Sequence, residues 1–199
     1  DWAGEYHRNL RSLPVRARTA PGEIARQLSA SPPETGEAMQ AIMADFHSIV
    51  MPGITHWQHP RFFAYFTSNA APPSILAEFL VSAIAPQCML WQTSPAATEM
   101  ETRMIDWLRQ AIGLPEGFEG VIQDSASSAT LAAVLVMRER ALDWKGNRAG
   151  LSGQRHLRVY ASGEAHSSIE RAVWFAGIGA ENLVRIPADG PLRSLDPAA

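Results

Sequence analysis

The sequence is short of several things, and each shortage removes a class of function. Cys88 is the only cysteine among 199 residues, so no disulfide can form within the chain, which suits a reducing compartment such as the cytoplasm. Only one of the 17 Lys and Arg residues is a lysine, Lys145, and the formal net charge is −3. No stretch gathers the arginines into a stripe, which argues against nucleic acid and anionic membranes as partners. The apolar runs are too short to span a bilayer, and no charged segment precedes an apolar one as in a signal peptide. The chain starts at Asp1, inside a helical pattern, and stops soon after a strand-like run. It is expected to be part of a longer protein.

Hydrophobic residues make up 46% of the chain and charged residues 19%, a balance that allows a sizeable core and argues against disorder. The first 70 residues read as helices separated by proline-rich linkers. Trp2, Tyr6 and Leu10 recur at helical spacing before Pro14, which pushes its predecessor out of the helical region. A second helix is expected from Ser31-Pro32-Pro33-Glu34, which has capping-box spacing, or from Thr35. It carries Met39, Ile42, Met43, Phe46, Ile49 and Val50 and closes at Pro52-Gly53. Residues 54–72 are aromatic, prolyl and irregular, and loops rich in large aromatics line something. Helices follow over about 73–85 and from Ser94-Pro95 to Gly113. On the latter, Met100, Met104 and Trp107 are expected to pack, as is Trp174 further on.

From residue 118 the pattern changes to alternating strands and helices. Strands are expected at 120–123, 156–161 and 183–186, and helices at 130–144 and 167–177. Such alternation predicts an α/β fold with a mainly parallel sheet.

Two turns carry candidate chemistry. Asp124-Ser125-Ala126-Ser127-Ser128-Ala129-Thr130 joins a strand to a helix, and its small residues and serine hydroxyls suit either a phosphate at a helix start or an ordinary cap. Ala165-His166-Ser167-Ser168-Ile169-Glu170 follows the second strand, where open α/β sheets place ligand-contacting residues. Ser167 and Glu170 have capping-box spacing, and His166 stands just before them. His56 and His59 lack a third ligand at recognisable spacing, so no metal is expected. Lys145 reads as a surface residue.

Taken together, these segments resemble the group II pyridoxal-phosphate decarboxylases, and within them the aromatic L-amino acid decarboxylases. The resemblance is dense from Ile49-Val50-Met51-Pro52-Gly53-Ile54-Thr55-His56-Trp57 onward. His59-Pro60-Arg61-Phe62-Phe63-Ala64-Tyr65-Phe66 is similar to the family's substrate loop, and Trp91-Gln92-Thr93-Ser94-Pro95-Ala96-Ala97-Thr98-Glu99-Met100-Glu101 to the start of its interface helix. The segment from Gly120 to Thr130 and the His166 turn are similar to its cofactor-binding turns. Asp124 departs from the family, where many members have glycine, as does Thr67, where the animal enzymes have proline.

The resemblance implies a fold type I, aspartate-aminotransferase-like enzyme that binds pyridoxal 5'-phosphate and works as a homodimer on a small amino acid. It implies that residues 1–71 form a dimer-swapped helical arm with the substrate loop, and that 72–199 begin the large cofactor domain. By position, Ser125, Ala126 and Ser127 would hold the phosphate, and His166 would stack on the pyridine ring as the catalytic histidine. Trp57, Tyr65, Phe66, Thr67 and Ser68 would line the substrate pocket, with Gln87 and Met89 reaching the pocket of a second subunit. The family's Schiff-base lysine and pyridine-nitrogen aspartate lie past residue 199 in its order, so the chain alone is expected to be inactive. The implied reaction is decarboxylation of aromatic L-amino acids; an aldehyde synthase and a catalytically silent binding subunit are the alternatives.

Overall fold

A computed structural model describes residues 2–67, 70–189 and 194–195 of the chain. They divide into two compact units, Asp1–Ala85 and Pro86–Ala199. The sequence reading placed the division at residue 71/72, whereas here the helix over 72–84 belongs to the first unit.

In the first unit, helix α1 (Trp2–Asn9) runs into a tight turn at Leu10–Ser12. Trp2 stacks on Tyr6 and meets the edge of Phe46. The interior of this unit is polar as well as apolar. His56 and His59, only 1% and 3% exposed, sit in it beside the buried Leu10. The Tyr6 hydroxyl lies 2.8 Å from His56 Nδ1, and the His56 amide donates to the Val15 carbonyl at 3.0 Å. The Arg61 amide donates to His59 Nδ1. Burial, and then the neighbouring His59, push the His56 pKa down. Both histidines thus act as satisfied interior groups that tie the 54–61 segment to the first helix.

The second helix begins later than its sequence suggests. Helix α2 spans Met39–Asp45, with Ala38 at its N-cap, and passes into a wider π-type stretch at Phe46–Val50. No capping box forms at Ser31; the Ser29 hydroxyl donates to the Ser31 carbonyl instead. Pro33 keeps Pro32 extended, and Gly36 adds backbone freedom, so the local capping signal is outweighed. Helix α3 (Pro72–Ile84) starts with two prolines and ends where Ala85 turns left-handed at φ 49°. Leu76, Phe79, Leu80, Val81 and Ile84 on it are all more than half exposed.

In the second unit, helix α4 (Pro95–Ala111) ends near Gly113, whose φ is +75°. Met100, Met104 and Trp107 are exposed, contrary to the expectation that they pack; Met100 lines an open hollow with Phe118 instead. Trp174, half exposed, corrects the same expectation. The run 120–123 is not a strand. It has no strand neighbour among the described residues, and the Ile122 amide donates to Glu101 Oε1 at 2.7 Å instead.

The remainder is a βαβ unit with one more helix packed on it. Helix α5 (Ala126–Ala141) begins four residues before the expected 130, because Ser125 caps it and the small residues form its first turn. It ends as Asp143 and Trp144 turn left-handed. A short helix α6 (Gly146–Ala149) follows, with exposed Lys145 at its N-cap. Strand β1 (Val159–Ser162) pairs in parallel with β2 (Leu183–Ile186), Val159 opposite Leu183, across the crossover helix α7 (Ser168–Phe175). A short antiparallel pair, β3 (Ala188–Asp189) with β4 (Ser194–Leu195), follows.

Helices α5 and α7 form the core. Val134, Ala172 and Ala176 are buried together, with Leu131, Leu135 and Ile178 against them. Small residues on α7 let the helices approach closely. At the far end, Arg138 donates to the Ala176 carbonyl at 2.7 Å and pairs with the buried Glu139 at 2.8 Å. Glu139 also accepts the Asn147 amide. That amide, together with the Arg138 guanidinium, outweighs the opposing effect of burial and holds the Glu139 carboxyl below its ordinary value. Gly146 is required here, since a Cβ would run into the Glu139 carboxylate.

Candidate functional site

The two turns singled out by sequence come together where α5 and α7 begin. A hollow of about 150 Å³ between these ends is lined by Ser127, Ser128 and Leu131 of α5 and by Ser168, Arg171, Ala172 and Phe175 of α7. The pairing follows from the fold, since the packed helices both start at this end. A larger, open hollow of about 950 Å³ runs along α4 past Met100, Arg103 and Phe118. It contains none of the expected site residues.

At the start of α5 the donors are divided between two uses. The Ser128 hydroxyl donates to Asp124 Oδ1 at 2.5 Å, and this bond is the main reason the Asp124 carboxyl is held below its ordinary range. With that proton committed, Ser128 Oγ accepts from the Ser125 amide at 3.2 Å and from the Ser125 hydroxyl at 3.0 Å. The Ser128 amide in turn donates to Ser125 Oγ, completing the capping box. The amides of Ala126 and Ser127 and the Ser127 hydroxyl have no partner among the described residues. They open outward at the positive end of a 16-residue helix, which is where an anion is favoured.

At the start of α7 the expected capping box is absent, which corrects the sequence reading. Ser167 makes no side-chain cap. Its hydroxyl accepts from Arg171 Nη2 at 3.1 Å, while Glu170 pairs with Arg185 of β2 at 2.7 Å. His166 performs the capping instead. Its Nδ1 accepts the Ser168 amide at 3.2 Å and lies 3.0 Å from Ser168 Oγ. These two contacts from one residue hold the ring at Nδ1. The imidazole is exposed but fixed in plane.

The residues expected to line a substrate pocket are only partly gathered. Trp57 stacks on Phe62 at 5.2 Å and on Tyr65 at 5.5 Å. Tyr65 holds a left-handed φ of 55°, a strained choice for a bulky residue. Phe66, 98% exposed, stands outside this stack, and Thr67 is exposed too. Ser68 lies outside the described residues. Gln87 and Met89 are exposed, the Gln87 carbonyl accepting from the Thr93 hydroxyl.

Sequence reasoning missed Ser128, Ser168 and Arg171. The serines were visible in their motifs, but their role as partners of Asp124 and His166 depends on where each helix starts. Arg171 sits one turn after Ser167, and that spacing was its only signal.

Comparison with known proteins gives a consistent picture. Residues 21–198 match the model of the pyridoxal-dependent decarboxylase conserved domain. The chain is 36% identical over 195 residues to tryptophan decarboxylase 2 of Oryza sativa subsp. japonica, covering 95% of this chain and 38% of that protein. It is 35% identical to phenylacetaldehyde synthase of Arabidopsis thaliana, covering 95% and 39%. It superposes on the crystal structure of Oryza sativa TDC with PLP and tryptamine with a TM-score of 0.90 and 34% identity, over 100% of this chain and 44% of that one. The chain thus spans about two-fifths of the length of the relatives it matches.

Proposed function

The chain belongs to the pyridoxal-dependent decarboxylase family, with its fold type I architecture, and we propose that the whole protein removes CO2 from aromatic L-amino acids using pyridoxal 5'-phosphate. The observation that carries this reading is the convergence of the Ser125–Ser127 turn and the His166 turn at one end of the α5–α7 pair. The donor chemistry there fits the cofactor. Two amides and the Ser127 hydroxyl, without partners among the described residues and at the positive end of a helix, match the needs of a phosphate. The His166 ring, held by Ser168, presents a flat aromatic face.

When bound, pyridoxal phosphate supplies the electron sink for the charge left on Cα as CO2 departs. The residues of this chain bind and orient. The turn of Ser125, Ala126 and Ser127 would hold the phosphate, with the Ala126 and Ser127 amides and the Ser127 hydroxyl as its donors, and His166 would stack on the pyridine ring. Trp57, Tyr65, Phe66, Thr67 and Ser68 line the substrate pocket, where aromatic faces select a planar side chain and exclude water. Gln87 and Met89 reach the pocket of a second subunit in a homodimer. In that assembly residues 1–71 form the swapped arm, and 72–199 open the cofactor domain. We assign the protein to the cytoplasm, which its single cysteine suits. No described helix is long and apolar enough to cross a membrane.

A second reading, aldehyde synthesis, is favoured by the likeness to phenylacetaldehyde synthase of Arabidopsis thaliana. Product analysis with the full-length protein, pyridoxal phosphate and tyrosine or tryptophan separates the two. Decarboxylation yields one amine per CO2 without oxygen uptake. Aldehyde synthesis consumes O2 and water and yields aldehyde, CO2, ammonia and hydrogen peroxide. Release of neither CO2 nor peroxide, with cofactor bound, would leave a silent binding subunit.

A further inference from the structure

The protons at the start of α5 do not all remain available to a phosphate. The Ser128 hydroxyl proton goes to the Asp124 carboxylate, and the Ser125 hydroxyl proton goes to Ser128 Oγ. Asp124 is therefore a resident anion that draws on the donors of this turn, and it repels a second anion placed beside it. The donors left over are on the Ser127 side, and Ser127 faces the small hollow shared with α7. That hollow is lined by three serines, three apolar residues and one charged residue, Arg171. Among the described residues Arg171 has no carboxylate partner; its guanidinium donates only to Ser167 Oγ. By contrast Arg185, on β2, is paired with Glu170. A guanidinium with no carboxylate partner among the described residues, lining the same hollow as a helix start whose own carboxylate is already satisfied, is arranged to receive an external anion.

We propose that Arg171 is a positioning residue that binds the cofactor phosphate from the Ser127 side, offsetting the charge of Asp124. This rests on the assignment of the cofactor to this end of the helix pair. It further predicts that the phosphate contributes less to binding in this protein than Ser125 and Ser127 alone suggest, and that Arg171 restores part of the difference.

The test compares pyridoxal phosphate with pyridoxal, which lacks the phosphate, as ligands of the full-length protein, by equilibrium dialysis and visible absorbance. Arg171→Gln should weaken pyridoxal phosphate about tenfold and leave pyridoxal within about twofold, since a charge-assisted contact at a partly open site is worth roughly one order of magnitude. Arg171→Lys should recover most of the loss. Equal weakening of both ligands, or of neither, overturns the proposal. Should Arg171→Gln fail to fold, Asp124→Asn decides: it should tighten pyridoxal phosphate severalfold over pyridoxal, and an unchanged ratio overturns the charge argument. A wild-type protein that binds both ligands alike overturns the cofactor assignment itself. A wild-type preference for the phosphate that survives in Arg171→Gln overturns the role of Arg171 alone.

Discussion

Val173 and Ala176 are fully buried in the α5–α7 region, whereas Phe63, Tyr65 and Phe66 in the 54–67 segment stand 91%, 85% and 98% exposed. The first region has complementary partners within its own sequence: an apolar stripe, small residues for close helix approach, and a buried Arg138–Glu139 pair. The second is aromatic enough to form a core yet encloses none; what order it has comes from the buried His56 and His59 beneath it and the Trp57 stack. A chain segment that holds large apolar side chains in solvent is made for contact. The region proposed to hold the cofactor is therefore self-supporting, whereas the segment proposed to meet the substrate presents its side chains outward.

Ser127→Asp should give the largest effect. A second carboxylate at the start of α5 would face the proposed phosphate position, and at an effective dielectric near 20 such repulsion costs about 3 kcal/mol, roughly a hundredfold in cofactor affinity. His166→Ala should instead lower turnover more than affinity, because it removes the plane-setting ring and keeps the phosphate contacts. Cofactor titration and turnover measured together check both. Unchanged values in the two variants would mean that these residues only cap helices.

Stability should separate the regions next. Val173→Ala removes buried methyl groups from a packed site and should cost about 2–3 kcal/mol in urea unfolding. Phe66→Ala should stay within about 0.5 kcal/mol while raising KM for an aromatic substrate. A large stability loss at Phe66 would break the comparison, since it would make that side chain a core residue.

Acid should loosen the two regions in order. His56 has its pKa pushed below 6.5 by burial, so the stability it gives is complete above that value and is lost as pH falls through its lowered pKa. Glu139 is held below its ordinary 4.5, so its contribution persists above that and is lost only at still lower pH. Hydrogen exchange followed from pH 7 to pH 4 should show faster exchange around Tyr6 and 54–59 before any change in α5 and α7. The reverse order would contradict the assignment of these two groups as the weak points.

Much of this was legible in the sequence, and the failures have physical causes. The β2 strand at Leu183–Ile186 and the helix beginning near Ser168 were readable because their patterns are met by partners within the chain. The 120–123 run has strand composition but no strand to pair with among the described residues. At Ser167 and Glu170, long-range partners, Arg171 and Arg185, outcompete a local cap that sequence spacing alone favours. The aromatic segment was readable as a contact surface, yet the grouping of Trp57 with Phe62 and Tyr65, leaving Phe66 outside, depends on a left-handed turn at Tyr65 that no glycine announces.

Substrate choice is the most direct test of the proposed aromatic pocket. The measurement is kcat/KM of the full-length, cofactor-loaded protein for tyrosine, tryptophan and glutamate, repeated with Trp57→Ala. Aromatic pockets discriminate weakly between planar side chains, by about 1–3 kcal/mol per group-sized misfit, and strongly against a charged one left unpaired. Tyrosine and tryptophan should therefore lie within about a hundredfold of each other, well above glutamate, and Trp57→Ala should reduce both by about tenfold. Glutamate as the best substrate, unaffected by Trp57→Ala, would contradict the aromatic pocket.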